Sequence, residues 1–106
     1  MTVENLTDDT FRNTIGEADL PVLVDYYAPW CGPCRMVGPV VEEIAEDNQD
    51  KLQVFKMNTD DNQRTAVDFQ IFSIPTLILF KGGQEVKRIV GAYPKVSLLA
   101  ELEPFI

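Results

Sequence analysis

The sequence predicts an α/β fold, a central mixed β-sheet flanked by helices on both faces. Three observations carry this. Short apolar runs with strand character alternate with segments whose apolar residues recur at three- and four-residue spacings, the pattern of strands alternating with helices. The first clear strand is apolar on both alternating faces, as a strand covered from both sides must be. The chain then ends in a Gly-Gly hairpin and a helix, which adds antiparallel strands to a sheet whose other crossovers are expected to be right-handed. A length of 106 residues, 45% hydrophobic and 25% charged, suits one domain spanning 1–106.

Leu6 and Phe11 flank Thr7 at the spacing of a hydrophobic staple around an N-cap, so a short helix opens there with Phe11 and Ile15 inward. Val22-Leu23-Val24-Asp25-Tyr26-Tyr27 is β-branched and aromatic, a central strand in which Asp25 is the charged exception. Met36, Val37, Val40, Val41, Ile44 and Ala45 mark an amphipathic helix with Cys31 and Cys34 at its N-terminal end. Pro39 lies inside it and, lacking an N–H and clashing with the carbonyl four residues back, is expected to kink it. Leu52 to Met57 predicts a second strand, Asn62 to Phe69 a short helix, and Thr76 to Phe80 a third strand. Gly82-Gly83 turns the chain, and Glu85 to Val90 returns with enough polar residues to place it near an edge. Val96, Leu99, Ala100 and Leu102 mark the last helix.

Charge and hydropathy exclude several classes of function. A net charge of −8 repels the phosphates of nucleic acid. No stretch approaches the roughly 18 uninterrupted apolar residues of a membrane span. Met1-Thr2-Val3-Glu4 lacks the basic and apolar regions of a signal peptide, so a cytoplasmic protein is expected.

The two cysteines, the only ones in the chain, stand as Trp30-Cys31-Gly32-Pro33-Cys34. A bridge across two residues closes so small a loop that chain entropy gives it about 2 kcal/mol, against about 4.7 for a loop of 100 residues, which makes it a poor staple. A closed zinc site takes four ligands, and the chain has no third Cys and no His, so no metal is expected. In a reducing cytosol a lone C-x-x-C is more often catalytic than architectural. At a helix start, unpaired N–H groups and the positive end of the dipole favour a thiolate. Cys31 is therefore the expected nucleophile. Cys34, one turn in and expected to be more enclosed, is the resolving thiol and needs a base. Asp25 is the candidate, because desolvation in an apolar strand pushes a carboxyl's pKa up.

Val24-Asp25, Trp30 to Cys34, Pro39, Lys56, Ile74-Pro75-Thr76, Gly83 and Gly91 stand in the order and spacing of thioredoxins, and the chain resembles that family over essentially its whole length. The run Trp30 to Met36 is most similar to bacterial thioredoxins and the m-type proteins of plastids. The resemblance implies the thioredoxin fold in a monomer that acts as a general protein-disulfide reductase. Electrons would pass from a thioredoxin reductase, flavin- or ferredoxin-dependent, to oxidised target proteins. No bound cofactor is implied beyond the redox-active Cys31–Cys34 disulfide. The plastid stroma is an alternative location if a transit peptide was removed.

Site roles follow from the same resemblance. Asp25 exchanges a proton with Cys34 through water, and Lys56 moderates Asp25 by favouring its carboxylate; the plain alternative is that the two are only a buried ion pair. An X-Pro bond is ordinarily trans, but in the family Pro75 is cis and faces the disulfide, and the backbone at Ile74 takes a target peptide as an added strand. Trp30, Gly32, Pro33 and Ile74, with Thr76, Val90, Gly91 and Ala92, form the implied target-binding platform. Thioredoxins hold their nucleophilic Cys near pKa 7 rather than about 8.5, which lifts the thiolate fraction at pH 7 from about 3% to about 50%. A Brønsted slope near 0.45 reduces that to a net gain of about threefold, so docking and alignment must supply the rest.

Three departures stand out. Tyr27 occupies a position where many thioredoxins carry a second Trp, Asn58 and Thr59 fall where the platform is often more apolar, and Arg35 replaces a frequent Lys. Two rival functions remain open. One is a noncatalytic adaptor that uses the surface of the fold, opposed by intact Cys31, Cys34, Asp25 and Pro75. The other is a disulfide oxidant or isomerase, opposed by the Gly-Pro pair and the absence of His.

Overall fold

A computed structural model describes residues 3–106, so Met1 and Thr2 of the N-terminal stretch considered above lie outside the described residues. Nine elements follow one another: β1 (Glu4–Asn5), α1 (Asp8–Glu17), β2 (Val22–Tyr27), α2 (Gly32–Asp47), β3 (Gln53–Asn58), α3 (Gln63–Asp68), β4 (Thr76–Lys81), β5 (Gln84–Val90) and α4 (Lys95–Leu102), the last continued by a 3₁₀ turn over Glu103–Phe105. The strands form one mixed sheet in the order β1-β3-β2-β4-β5. β3 runs parallel to β1 and β2, whereas β4 is antiparallel to β2 and β5. This is the thioredoxin fold that the resemblance implies.

The two-residue period of the strands divides the core. Val22, Val24 and Tyr26 of β2, with Ile78 and Phe80 of β4, bury against Phe11 and Ile15 of α1. Phe11, Phe69 and Phe80 meet edge to face at centroid distances of 5.3 to 5.4 Å, tying α1 and the end of α3 to the sheet. Leu23, Leu77 and Leu79 point the other way, onto Val37, Val41 and Ile44 of α2 and Leu98 and Leu102 of α4. Asp25, two residues beyond Leu23, shares the α2 face. Helices thus cover both faces.

Local signals set the element ends. Thr7 caps α1 in a reciprocal box with Thr10, and Leu6 and Phe11 bracket it as expected. The α2 helix continues through Pro39. Gly82 and Gly83 turn the β4–β5 hairpin at φ +61° and +78°, a region open to glycine, and β5 is an outer strand. The structure adds β1 and the 3₁₀ turn to the elements read from sequence.

Candidate active site

Cys31 is the N-cap of α2, in extended backbone, and Gly32 and Pro33 begin the helix, where a missing N–H removes no intrahelical bond. The Cys34 N–H donates to Cys31 Sγ at 3.2 Å. When the pair is reduced, that donor and the helix terminus both favour negative charge on the Cys31 sulfur. Cys31 and Cys34 are joined as a disulfide with Cα atoms 5.3 Å apart. The sulfurs pack with Ala28, Tyr27 and Ile74. One expectation is corrected: Cys34 is not the more enclosed residue, for Cys31 is 4% and Cys34 5% exposed. The loop carrying Ile74 lies over Cys31, with the Ile74 carbonyl oxygen 3.8 Å from its Sγ.

The Ile74–Pro75 peptide bond is cis, against the general preference and in line with the resemblance. The Gly91 N–H donates to the Pro75 carbonyl at 2.8 Å, so the end of β5 holds this loop. Gly91 has φ +111°, and a Cβ there would lie 3.3 Å from the Tyr93 ring. Trp30, Val90, Gly32, Pro33 and Ala92 are exposed around the sulfurs, while Ile74 and Gly91 are half-buried. Thr76 is a correction. It is 1% exposed and its hydroxyl donates to the Ser73 carbonyl at 2.6 Å, so its side chain braces the loop and presents nothing to a partner. Beside the disulfide runs a groove of about 340 Å³ lined by Met36, Val37, Val40, Ala92, Tyr93 and Pro94.

Asp25 is 4% exposed, and its Oδ1 is buried with no hydrogen-bond partner among the described residues. Burial pushes its pKa from 3.8 up to about 7, opposed by the positive charge of Lys56. Asp25 and Lys56 face each other in register across β2 and β3. They form no ion pair within 4 Å among the described residues, and Lys56 acts on Asp25 through the field of its charge. The Lys56 ammonium instead lies 5.9 Å from the Tyr27 ring centroid. The Tyr27 hydroxyl donates to Asn5 at 3.1 Å, so this ring is fixed from β1.

The other departures act locally. Arg35 donates to the Pro29 carbonyl at 2.9 Å, and the Thr59 hydroxyl to the Tyr27 carbonyl at 3.1 Å. Asn58 accepts from the Asp60 N–H at 2.9 Å. Asp60 in turn accepts from the Trp30 indole at 3.0 Å, a contact missed in the sequence because the partners are thirty residues apart. Among the described residues no three His, Cys, Asp or Glu side chains converge as a metal site requires, and no helix is long and apolar enough to cross a membrane.

A family model described as Thioredoxin matches residues 2–104. The chain belongs to the thioredoxin family. It is 55% identical over 98 residues to Thioredoxin 1 of Nostoc sp., an alignment covering 92% of each chain. It is 50% identical over 106 residues to a thioredoxin of Pyropia yezoensis, covering all of this chain and 99% of that one. To the chloroplastic M-type thioredoxin of Chlamydomonas reinhardtii it is 48% identical over 101 residues, covering 95% of this chain and 72% of the other. The protein is a thiol–disulfide oxidoreductase whose reversible disulfide is Cys31–Cys34. Thioredoxins work between a thioredoxin reductase and disulfide-bearing target proteins.

Proposed function

We propose that this thioredoxin is a general protein-disulfide reductase. The reading rests on one arrangement: a disulfide at the N-terminus of α2, faced by the backbone of the Ile74–Pro75 loop, with a buried carboxyl at Asp25 on a cleft that the same helix lines. The Cys31 thiolate attacks a target disulfide; a Cys31–target S–S bond forms, the target bond breaks, and the departing thiolate takes a proton from water. Target backbone pairs with Ile74, while Trp30, Gly32, Pro33, Val90, Gly91 and Ala92 give a small, mostly apolar rim that reads main chain more than side chain.

Cys34 then loses its proton to Asp25 and attacks Cys31, releasing the second target thiolate and closing the Cys31–Cys34 bond. Two electrons have passed to the target. In the route we propose, water carries that proton between Cys34 and Asp25, whose Oδ1 is buried with no hydrogen-bond partner among the described residues. Lys56 tempers the basicity of Asp25. A thioredoxin reductase, flavin- or ferredoxin-dependent, restores the dithiol. We read the chain as one domain acting as a monomer in a bacterial cytoplasm or a plastid stroma, as likeness to the Nostoc and Chlamydomonas proteins supports.

Reduction of insulin disulfides tests the reading. Cys31→Ser should abolish it, and Cys34→Ser should accumulate the mixed disulfide. Cys31→Ser protein that still reduced insulin would defeat the proposal.

A further inference from the structure

A molecule whose Asp25 already holds a proton must pass it to solvent before the residue can act as base for Cys34, yet the residue is 4% exposed. A cleft of about 440 Å³ opens beside it, with Asp25 from β2, Lys56 from β3 and Glu42 from α2 as its charged lining groups. Val3 ahead of β1, and Gly38, Pro39 and Val41 of α2, complete the wall without charge. Glu42 is half-buried, and its Oε1, like Asp25 Oδ1, is buried with no hydrogen-bond partner among the described residues. The cleft is otherwise mostly apolar, so these two oxygens and the Lys56 ammonium are the polar partners it offers an ordered water. Gly38 lies one turn before Glu42 on the same helix face, and a Cβ there would meet nothing within 4 Å, so the helix leaves room at this point.

We propose that Glu42 is a proton-positioning residue, passing protons between Asp25 and solvent through water in this cleft. The inference rests on the reading of Asp25 as the base for Cys34. Lys56 cannot take this part, because an ammonium has three donors and no acceptor. A carboxylate can accept a proton and pass one on. In the return step the Asp25 acid gives its proton to cleft water, that water gives one to the Glu42 carboxylate, and Glu42 releases it to bulk; nothing is oxidised or reduced. Burial raises the titration of Asp25 and the charge of Lys56 lowers it, and the part given to Glu42 is the rate of proton return.

The test is stopped-flow reaction of the reduced protein with excess 5,5′-dithiobis(2-nitrobenzoate), in which attack by Cys31 releases one thionitrobenzoate and closure by Cys34 releases the second. Closure in the natural protein should be a single phase. Glu42→Gln should add a phase slower by about tenfold, less than the roughly hundredfold or more of a group in contact with the reacting atoms. That phase belongs to molecules whose Asp25 starts protonated, so its amplitude should grow as pH falls through about 7. Imidazole buffer should abolish it, and Glu42→Asp should close as the natural protein does. Single-phase closure of Glu42→Gln at the natural rate, or a slowing that imidazole does not relieve, overturns the relay. Asp25→Asn separates the two claims. If it closes at the natural rate, the base assignment itself has failed; if it is slow while Glu42→Gln is normal, only the relay has.

Discussion

Replacing Asp25 by Asn should stabilise the protein, and by an amount that depends on pH. The carboxyl titrates at 3.8 when free and at about 7 in the fold, because burial penalises its charge. Between those values the folded state holds a proton that the unfolded chain has lost, so stability falls as pH rises. Below pH 3.8 both states are protonated and the site costs nothing. Above it the cost grows by about 1.4 kcal/mol per pH unit and levels off beyond about 7, at about 4 kcal/mol. That is a large share of the 5–15 kcal/mol of a typical domain, at a position where an amide of the same shape fits. Guanidinium unfolding of the oxidised proteins should show Asp25→Asn ahead by about 4 kcal/mol at pH 8 and nearly level at pH 4. A gap that does not change with pH, or an Asn variant less stable at pH 8, would refute the reasoning. The proposed role of Asp25 as base for Cys34 would account for keeping a destabilising carboxyl on an apolar strand face.

Three further outcomes follow from particular contacts. Asp8 accepts from the backbone N–H groups of Arg64 at 3.1 Å and Thr65 at 2.9 Å and from the Thr65 hydroxyl, capping α3 from α1. Burial alone would raise its pKa, but these bonds prevail and lower it. Asp8→Ala should therefore cost about 1–3 kcal/mol at neutral pH, a loss that fades as acid protonates Asp8 in the natural protein, read by unfolding at pH 7 and below 3. Gly91→Ala, forced to φ +111° against the Tyr93 ring, should cost about 1–3 kcal/mol in thermal unfolding and slow insulin reduction by loosening the hold on Pro75. Gly38→Ala meets open space inside α2 and should gain about 0.5–1 kcal/mol; a lower melting temperature would contradict that.

Local chemistry made most of the fold legible. The Thr7 cap, the two-sided apolar run of β2, the Gly82-Gly83 turn and the helix after Cys31 each depend on residues within a few positions. What escaped depends on distant partners. β1 is two polar residues whose strand character comes from pairing with Phe55 and Lys56. Cys31 is as enclosed as Cys34 because a loop forty residues away lies over it. Thr76 sits next to Pro75 but turns inward, an orientation set by the register of β4 with Tyr26 and Val90. That Lys56 stays clear of Asp25, and that Glu42 joins both on one cleft, depends on how α2 lies over the sheet, which spacing along the chain does not encode. The cis bond at Pro75 came from family resemblance alone, since residue chemistry favours trans.

The central claim is that Cys31 and Cys34 form a reducing couple. Its most direct test is the midpoint potential of that couple, followed by Trp30 fluorescence in dithiothreitol redox buffers alongside insulin reduction. A reducing couple should show turnover and a potential close to about −270 mV, the reference value of thioredoxins as a family. A potential above about −200 mV, or no turnover, would contradict it.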